Sequence, residues 1–155
     1  MSERLAAMNN LKEDLEVLRR VPIFESVDAA SLRLLAFTSQ RMLFEPGQVL
    51  MHQGAESDQG YVIISGSADV LVEAGGLPVK IAEVGRHDFI GDIAMLCNRP
   101  RAATVVATSP VDVLVIERAQ FLELAEHAPR MAIEIMRVLA DRLGRAIQEL
   151  ARARS

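Results

Sequence analysis

The pattern of apolar and polar positions changes twice along the chain. Before residue 42 and after residue 118, apolar residues recur every three or four positions, which is typical of amphipathic helices. Between these parts, short apolar or alternating runs are separated by glycines, which is typical of antiparallel strands and turns. The pattern predicts N-terminal helices over 1–41, a β region over 42–118 and C-terminal helices over 119–155.

The first part predicts two helices. Leucines at helical spacing indicate a short amphipathic helix over 10–19, which Pro22 ends. Asp28 is a good N-cap for the next helix, because its carboxylate can accept from the amides of the first turn. One face of that second helix would consist of Leu32, Leu35 and Ala36.

The middle part predicts many short strands. Gly75-Gly76 lies between two strand-like segments and indicates a tight hairpin, and Ser109-Pro110 separates two further strand-like runs. Many short strands in a small domain are typical of a jelly roll or a barrel. With helices at both ends, the predicted fold class is α+β, a double-stranded β-helix (jelly roll) with N-terminal helices and a C-terminal helix pair.

The last part predicts a short helix that ends at Pro129, followed by a long helix. Apolar residues follow a three-four repeat along this long helix: Ala132, Met136, Leu139, Leu143, Ile147 and Leu150. Such a face can pack against a second copy, as in a coiled coil, or against the β core of its own chain. The sequence leaves both alternatives open.

Composition limits the class of protein. A chain of 155 residues, half of them apolar, is long enough for one domain with a substantial core. The net charge of −4 gives no reason to expect binding to nucleic acid or to an anionic membrane. One cysteine excludes an internal disulfide, and the charged N-terminus is unlike a signal peptide, so we expect a cytoplasmic location. We also expect no membrane segment, metal or resident cofactor, because apolar runs are short and the three histidines are scattered.

The candidate site is the stretch 89–104, "FIGDIAMLCNRPRAAT". Gly91 lets the backbone turn sharply and approach a ligand closely. The segment after it can form one or two helical turns, whose first amides have no intrahelical acceptor and attract anions. Arg101 supplies a fixed guanidinium fork that suits phosphate oxygens.

The remaining residues of this stretch suit a sugar attached to that phosphate. Ala102 and Ala103 are small, so a ligand can lie against the backbone. Asp92 only accepts hydrogen bonds when ionised, so it can take a sugar hydroxyl but repels phosphate; a plain helix N-cap is the alternative role for this residue. Nearby residues that we expect in the core rather than at a ligand are Met51, Tyr61, Met95 and Cys97.

The spacing G-(D/E)-x-A-x-x-x-x-x-P-R-A-A-T resembles the phosphate-binding cassette of cyclic-nucleotide-binding domains. That family includes bacterial catabolite-activator-type regulators, regulatory subunits of cAMP-dependent kinase and cyclic-nucleotide-gated channels, and the similarity extends over nearly the whole chain. The resemblance implies that Arg101 pairs with the cyclic phosphate. It also implies backbone or close contacts with phosphate and ribose from Gly91, Ile93, Ala94, Ala102 and Ala103.

Asp92 departs from the family pattern. It stands where the family usually has a glutamate bound to the ribose 2′-hydroxyl. Aspartate is shorter by one carbon–carbon bond, roughly 1.5 Å. A direct hydrogen bond then needs a bridging water or a shift of the turn, so we expect weakened affinity.

The base side of the pocket is less defined. Ala102 follows the arginine where relatives that prefer cGMP usually carry a hydroxyl residue, which favours cAMP. Residues 144–147, however, lack the hydroxyls with which bacterial regulators bind the adenine amino group. The residues that could instead cover the base are Arg142, Arg145, Ile147 and Leu150.

The resemblance predicts a stand-alone sensor domain, not an enzyme, that binds a cyclic nucleotide and moves its C-terminal helices in response. The alternative is a non-binding relative that acts as a dimerisation or protein-interaction scaffold. Only five residues follow Leu150, too few for a helix-turn-helix, so we expect no DNA binding. The output would then pass to a partner protein, and a homodimer through the last helix is compatible with either reading.

Overall fold

Two four-stranded antiparallel sheets form the centre of the protein, and helices cover one side of them. The computed structural model describes residues 2–154, except for the side chains of residues 2–9 and of Ile93. Within that range the helices are α1 (Ser2–Arg19), α2 (Ala29–Thr38), α3 (Asp92–Cys97), α4 (Arg118–His127) and α5 (Pro129–Arg154), with a 3-10 turn at Pro22–Phe24. The strands are β1 (Gln40–Phe44), β2 (Val49–Met51), β3 (Gln59–Ser65), β4 (Ala68–Ala74), β5 (Leu77–Val84), β6 (Phe89–Ile90), β7 (Thr104–Ala107) and β8 (Val111–Glu117).

The strand order confirms the predicted jelly roll. One sheet has the order β1-β8-β3-β6 and the other the order β2-β7-β4-β5, so neighbours in each sheet are often distant in sequence. The predicted hairpin at Gly75-Gly76 joins β4 to β5, with Ala74 paired to Leu77. With helices before and after the strands, the fold class is α+β, as expected.

Strand β3 separates two hydrophobic cores. Successive side chains of a strand point to opposite faces of its sheet. Val62 and Ile64 therefore belong to the core beneath the helices, while Tyr61 and Ile63 belong to the core between the two sheets. This two-sided burial explains why β3 reads as a continuous apolar run rather than as an alternating one.

The N-terminal helices are confirmed, and the first is longer than expected. Helix α1 begins at Ser2 rather than near residue 10. Asp28 caps α2 as predicted, because its Oδ2 accepts from the amide of Ser31 at 3.1 Å. The predicted inner face of α2 is buried and consists of Leu32, Leu35 and Ala36.

Helix α5 presents opposite faces to the β core and to solvent. Its inner face packs on the helical core through Met131, Ile135 and Val138. Four residues of the predicted repeat, Met136, Leu143, Ile147 and Leu150, are 57–62% exposed, whereas Leu139 is half-buried and packs against the helical core. The chain's own core therefore covers only part of the predicted repeat and leaves these four residues uncovered. In the described part of the chain, no helix combines the length and the apolar character needed to cross a bilayer.

Arg41 ties α1 to the sheet. Its Nε and Nη2 donate to Oδ1 of the buried Asp14 at 3.0 and 2.8 Å, and its Nη1 donates to Asp112 at 3.0 Å. Burial raises the pKa of Asp14 even though the guanidinium opposes that shift. The carboxylate is therefore stable in this position only because Arg41 is present.

We predict that Arg41→Ala lowers the free energy of unfolding by about 2–4 kcal/mol, because it leaves the buried carboxylate of Asp14 unpaired. The effect is smaller than for a fully buried ion pair because Arg41 itself is partly exposed. Arg19→Ala is the matched control. It removes an exposed 3.7 Å pair with Glu16 and should cost less than about 1 kcal/mol. Urea unfolding measures both, and equal effects would contradict this role of Arg41.

Candidate functional site

Gly91 begins the candidate site in a backbone conformation that favours glycine. Its φ is +84°, and it is the N-cap of the short helix α3. A Cβ at this position would lie 2.5 Å from Nη1 of Arg101 and 3.1 Å from the carbonyl oxygen of Gln59. The missing side chain therefore lets the arginine fork reach the turn.

Arg101 is almost completely buried beside this turn. It retains 3% of its accessible surface. Its amide donates to Ala55 at 2.9 Å, and its carbonyl accepts from Gly54 at 2.8 Å, so the loop before β3 fixes its backbone. The guanidinium carbon lies 5.7 Å from the centre of the Tyr61 ring, which provides a cation–π contact.

The hydrogen-bonding capacity of Arg101 is only partly used. Nη1 donates to the carbonyl of Gly91 across a long 3.4 Å, and the buried Nη2 has no partner among the described residues. Burial lowers the pKa of Arg101, while Tyr61 and Asp58 act in the opposite direction. Arginine nevertheless stays charged in proteins, so this site contains a buried cation that an anion would stabilise.

A cavity of about 720 Å³ opens in front of Arg101. The predicted site residues that line it are Gly91, Asp92, Ala94, Arg101, Ala102, Ala103, Arg142 and Arg145. The side chain of Ile93 lies outside the described residues. Ile147 is not among the described lining residues and lies on the exposed face of α5. The cavity is large enough for a nucleotide, whose sites usually span several hundred cubic ångströms.

Most of the apolar cavity wall was not predicted from the sequence. It comes from the second sheet, from the 3-10 turn and from the inner face of α5, and includes Val70, Val72, Val105, Ile23 and Val138. Met51, which we expected only in the core, is buried and also lines the cavity. These residues carry no local motif, because strand order and the packing of the 3-10 turn and α5 bring them together from distant parts of the sequence.

His87 is a second polar group at the cavity that the sequence analysis did not single out. It lines the wall with φ +75°, and its buried Nε2 has no partner among the described residues. Burial first, then the charges of Arg86 and Arg20, lower its pKa, while Asp88 raises it. The imidazole is therefore neutral at neutral pH.

Helix α5 reaches the mouth of the cavity through Arg142. Its Nη1 donates to Oδ2 of Asp92 at 2.9 Å. Asp92 is 15% exposed and Arg142 46% exposed, so the pair is at the rim. Gly91, not Asp92, is the N-cap of α3, so the alternative role of Asp92 as a plain N-cap is wrong. The ion pair instead connects the cassette to the C-terminal helix.

Two of the expected core residues behave differently from each other. Met95 of α3 is buried, and its side chain packs so closely on β3 that a Cβ on Gly60 would lie 2.8 Å from it. Cys97 is exposed, which corrects our expectation that it is buried. Cys97 is the last residue of α3 and directly precedes the exposed residues 98–100.

A family comparison identifies this arrangement. The sequence profile of the family described as "Cyclic nucleotide-binding domain" matches residues 41–128, which include all of the strands except the first residue of β1, and the whole cassette. The chain belongs to the cyclic nucleotide-binding domain family. The resemblance that the cassette suggested is thereby confirmed.

Solved structures of this family share the fold. Thermus thermophilus catabolite activator protein is 27% identical, with a TM-score of 0.76 over 84% of this chain and 62% of its own. A cyclic nucleotide-binding-like protein from Brucella abortus is 31% identical, with a TM-score of 0.65 over 74% of this chain and 98% of its own.

A triple mutant of the regulatory subunit of a cAMP-independent protein kinase A from Trypanosoma brucei, bound to cAMP, is 24% identical. Its TM-score is 0.73 over 87% of this chain and 48% of its own. The chain thus spans only about half to three fifths of the Trypanosoma and Thermus proteins. Of these similar proteins, the Thermus protein is a catabolite activator and the Trypanosoma protein is a regulatory subunit.

We predict that Gly91→Ala destabilises this cyclic nucleotide-binding domain more than Gly47→Ala does. Both glycines have positive φ, which costs an alanine about 1–2 kcal/mol. A Cβ on Gly47 meets no atom within 4 Å, whereas one on Gly91 collides with Arg101. Urea unfolding of both variants measures the difference. Equal losses would show that the guanidinium does not pack against Gly91.

Proposed function

We propose that this chain is a cAMP-binding sensor domain, spanning residues 1–155, in which the nucleotide controls the C-terminal helices. The observation that carries the proposal is the buried guanidinium of Arg101, which faces a nucleotide-sized cavity with Nη2 unpaired in the described structure. A cyclic phosphate would supply the missing acceptor and the opposite charge. Charge-assisted pairs of this kind are about twice as strong as neutral hydrogen bonds.

The surroundings of Arg101 support a phosphate that is part of a ring. Gly91 has no side chain and Ala102 and Ala103 carry only a methyl group, so a ligand in the cavity can lie close to the backbone. The first turn of α3 begins at the same place, and helix N-termini favour anions. A compact cyclic phosphate therefore fits between the guanidinium and the turn, with the sugar toward Asp92.

The identity of the base is supported by a comparison of substitutions. The Trypanosoma protein bound to cAMP carries three substitutions. The first introduces an alanine, the second an arginine seven residues later, and the third an alanine at the residue after that arginine. This chain has Ala94, Arg101 and Ala102 at the same spacing. The absence of a hydroxyl residue after the arginine also favours cAMP over cGMP.

Asp92 provides a means for the ligand to affect α5. In the described structure its Oδ2 pairs with Arg142 across the cavity mouth. A ribose hydroxyl that donates to the same carboxylate changes the strength of that pair. A ligand shifts a conformational equilibrium only by such a difference between states. We infer that the nucleotide sets the position of α5 through Asp92, and that Arg142 and Arg145 lie over the base.

We predict that Arg101→Met weakens cAMP binding without lowering the melting temperature of the free protein. Losing the charge-assisted contact should weaken binding by roughly 1.5–3 kcal/mol, about tenfold to more than a hundredfold. Replacing a buried charge by an apolar side chain of similar length is often neutral or stabilising. Titration calorimetry and thermal melting test the two halves of this prediction.

Arg99→Met is the matched control, because Arg99 is an exposed arginine two residues away. It should bind cAMP like the wild type. An Arg101→Met variant that keeps the wild-type affinity would exclude the proposed phosphate contact. Wild-type protein that binds no cyclic nucleotide would favour the scaffold alternative.

The second part of the proposal is a homodimer through α5, and the spacing of the exposed apolar residues of this helix favours it. Met136, Leu143 and Leu150 are seven residues apart and alternate with Ile133, Ala140 and Ile147. β-Branched residues such as isoleucine at the first apolar heptad position and leucine at the second favour parallel two-stranded coiled coils. Fully burying a side chain of this size contributes about 1.5–3 kcal/mol, so several together can stabilise a dimer.

We predict that Leu143→Glu converts a wild-type dimer into a monomer, because it places a charge in the centre of the apolar repeat. Gln148→Glu adds the same charge to the same helix but outside the repeat, and it should leave the dimer intact. Sedimentation equilibrium distinguishes the three proteins. A monomeric wild type, or a dimer that survives Leu143→Glu, would rule out this interface.

A further inference from the structure

Arg118 connects the nucleotide cassette directly to the C-terminal helices. It is the first residue of α4 and is half-buried. Its Nε donates to the carbonyl of Met95 at 2.9 Å, and its Nη2 donates to the carbonyl of Ala94 at 3.0 Å. One guanidinium fork therefore binds two consecutive carbonyls of α3.

These two carbonyls belong to the end of α3 that needs a donor. The last four carbonyls of a helix lack intrahelical partners, and in the six-residue α3 they begin at Ala94. Asn98 ends the helix with φ +50°. A cation at this end also suits the helix dipole. Arg118 thus acts as a side-chain cap for α3, although it lies more than twenty residues away in the sequence.

The opposite end of α3 lies at the proposed nucleotide pocket. Gly91, Asp92 and Ala94 line the cavity, and the carbonyl of Gly91 accepts from Arg101. Because α3 has only six residues, both ends are within two turns of one another. A shift of the cassette toward a ligand therefore moves the carbonyls that Arg118 binds.

Hydrogen bonds at the start of α4 also connect Arg118 to the loop before β3 and, through Gln120, connect α4 to the end of α2. Its amide donates to the carbonyl of Asp58 at 2.9 Å, and the preceding residue, Glu117, caps α4 through Gln120. Gln120 in turn donates to the carbonyl of Thr38 at the end of α2. Only Ala128 separates α4 from α5, so a change at the start of α4 is passed on to the helix that covers the cavity.

We propose that Arg118 is the positioning residue that transmits occupancy of the pocket from α3 to α4 and α5. The proposal rests on the cyclic nucleotide function proposed above. Displacing α3 must either move the guanidinium and the start of α4 with it or break two charge-assisted hydrogen bonds. Arg118 does not contact the cavity, so it acts through the cassette and not on the nucleotide.

Hydrogen–deuterium exchange at saturating cAMP tests this role, with calorimetry on the same samples to establish saturation. In the wild type, cAMP should change exchange both in α3 and in residues 118–145. In Arg118→Lys, which keeps a charge but cannot bind two carbonyls with a planar fork, α3 should still respond. The response of residues 118–145 should fall to less than about half of the wild-type value, because the two hydrogen bonds no longer act together.

Two further variants complete the experiment. Arg118→Ala should give the same loss as Arg118→Lys, and the lysine variant remains informative where the alanine variant does not fold. Arg99→Ala is the matched control, because Arg99 lines the same small polar surface cavity as Arg118. In this variant, cAMP should change the exchange of α3 and of residues 118–145 as it does in the wild type.

The outcomes separate this inference from the proposed function. If saturated Arg118→Lys and Arg118→Ala retain the full response of residues 118–145, Arg118 does not transmit occupancy. A wild type that binds cAMP with no change in α4 and α5 would overturn the inference in the same way. A wild type that shows no binding in calorimetry refutes the proposed function itself.

Discussion

The site depends on one buried cation that its own chain only partly satisfies. Removing a guanidinium from water is costly unless acceptors replace the lost water, and Arg101 has one long hydrogen bond, an aromatic ring and an unpaired Nη2 in the described structure. The protein tolerates this arrangement because two backbone hydrogen bonds and the absence of a Cβ on Gly91 fix the side chain in position. An incoming phosphate then needs little rearrangement of the Arg101 side chain, which is the condition for strong binding by a preorganised group.

The rest of the fold holds the guanidinium of Arg101 in position and surrounds the cavity in front of it. Strand β3 supplies Tyr61 to the core between the sheets, and it supplies Val62 and Ile64 to the core beneath the helices. The cassette therefore lies where both cores meet, in contact with both sheets and with the helices. Helix α5 packs its inner face on the helical core and continues over the cavity as far as Arg142. Its opposite, apolar face remains available to a second chain.

The sequence was most informative where function depends on local spacing. Gly91, Arg101, Ala102 and Ala103 were predicted to share one site from their local order alone, and all four line the cavity. The Asp28 cap and the Gly75-Gly76 hairpin were predictable for the same local reason. Tyr61 was correctly predicted in the core, but its contact with Arg101 was not. The valines of the cavity wall and Arg118 were missed because strand order and helix packing, not spacing, bring them to the site. Cys97 was misjudged because residue type alone does not show whether the core covers the end of a short helix.

Tyr61 offers the most direct measurement of the central claim. It is the single tyrosine of a chain without tryptophan, and its ring lies against Arg101, so tyrosine emission reports on this pocket alone. Titration with cAMP and, separately, with adenosine compares ligands that differ by the cyclic phosphate. The account predicts a saturable change with cAMP and at least roughly tenfold weaker binding of adenosine, because only cAMP satisfies the guanidinium. Equal affinity for the two ligands, or no change with either, would contradict it.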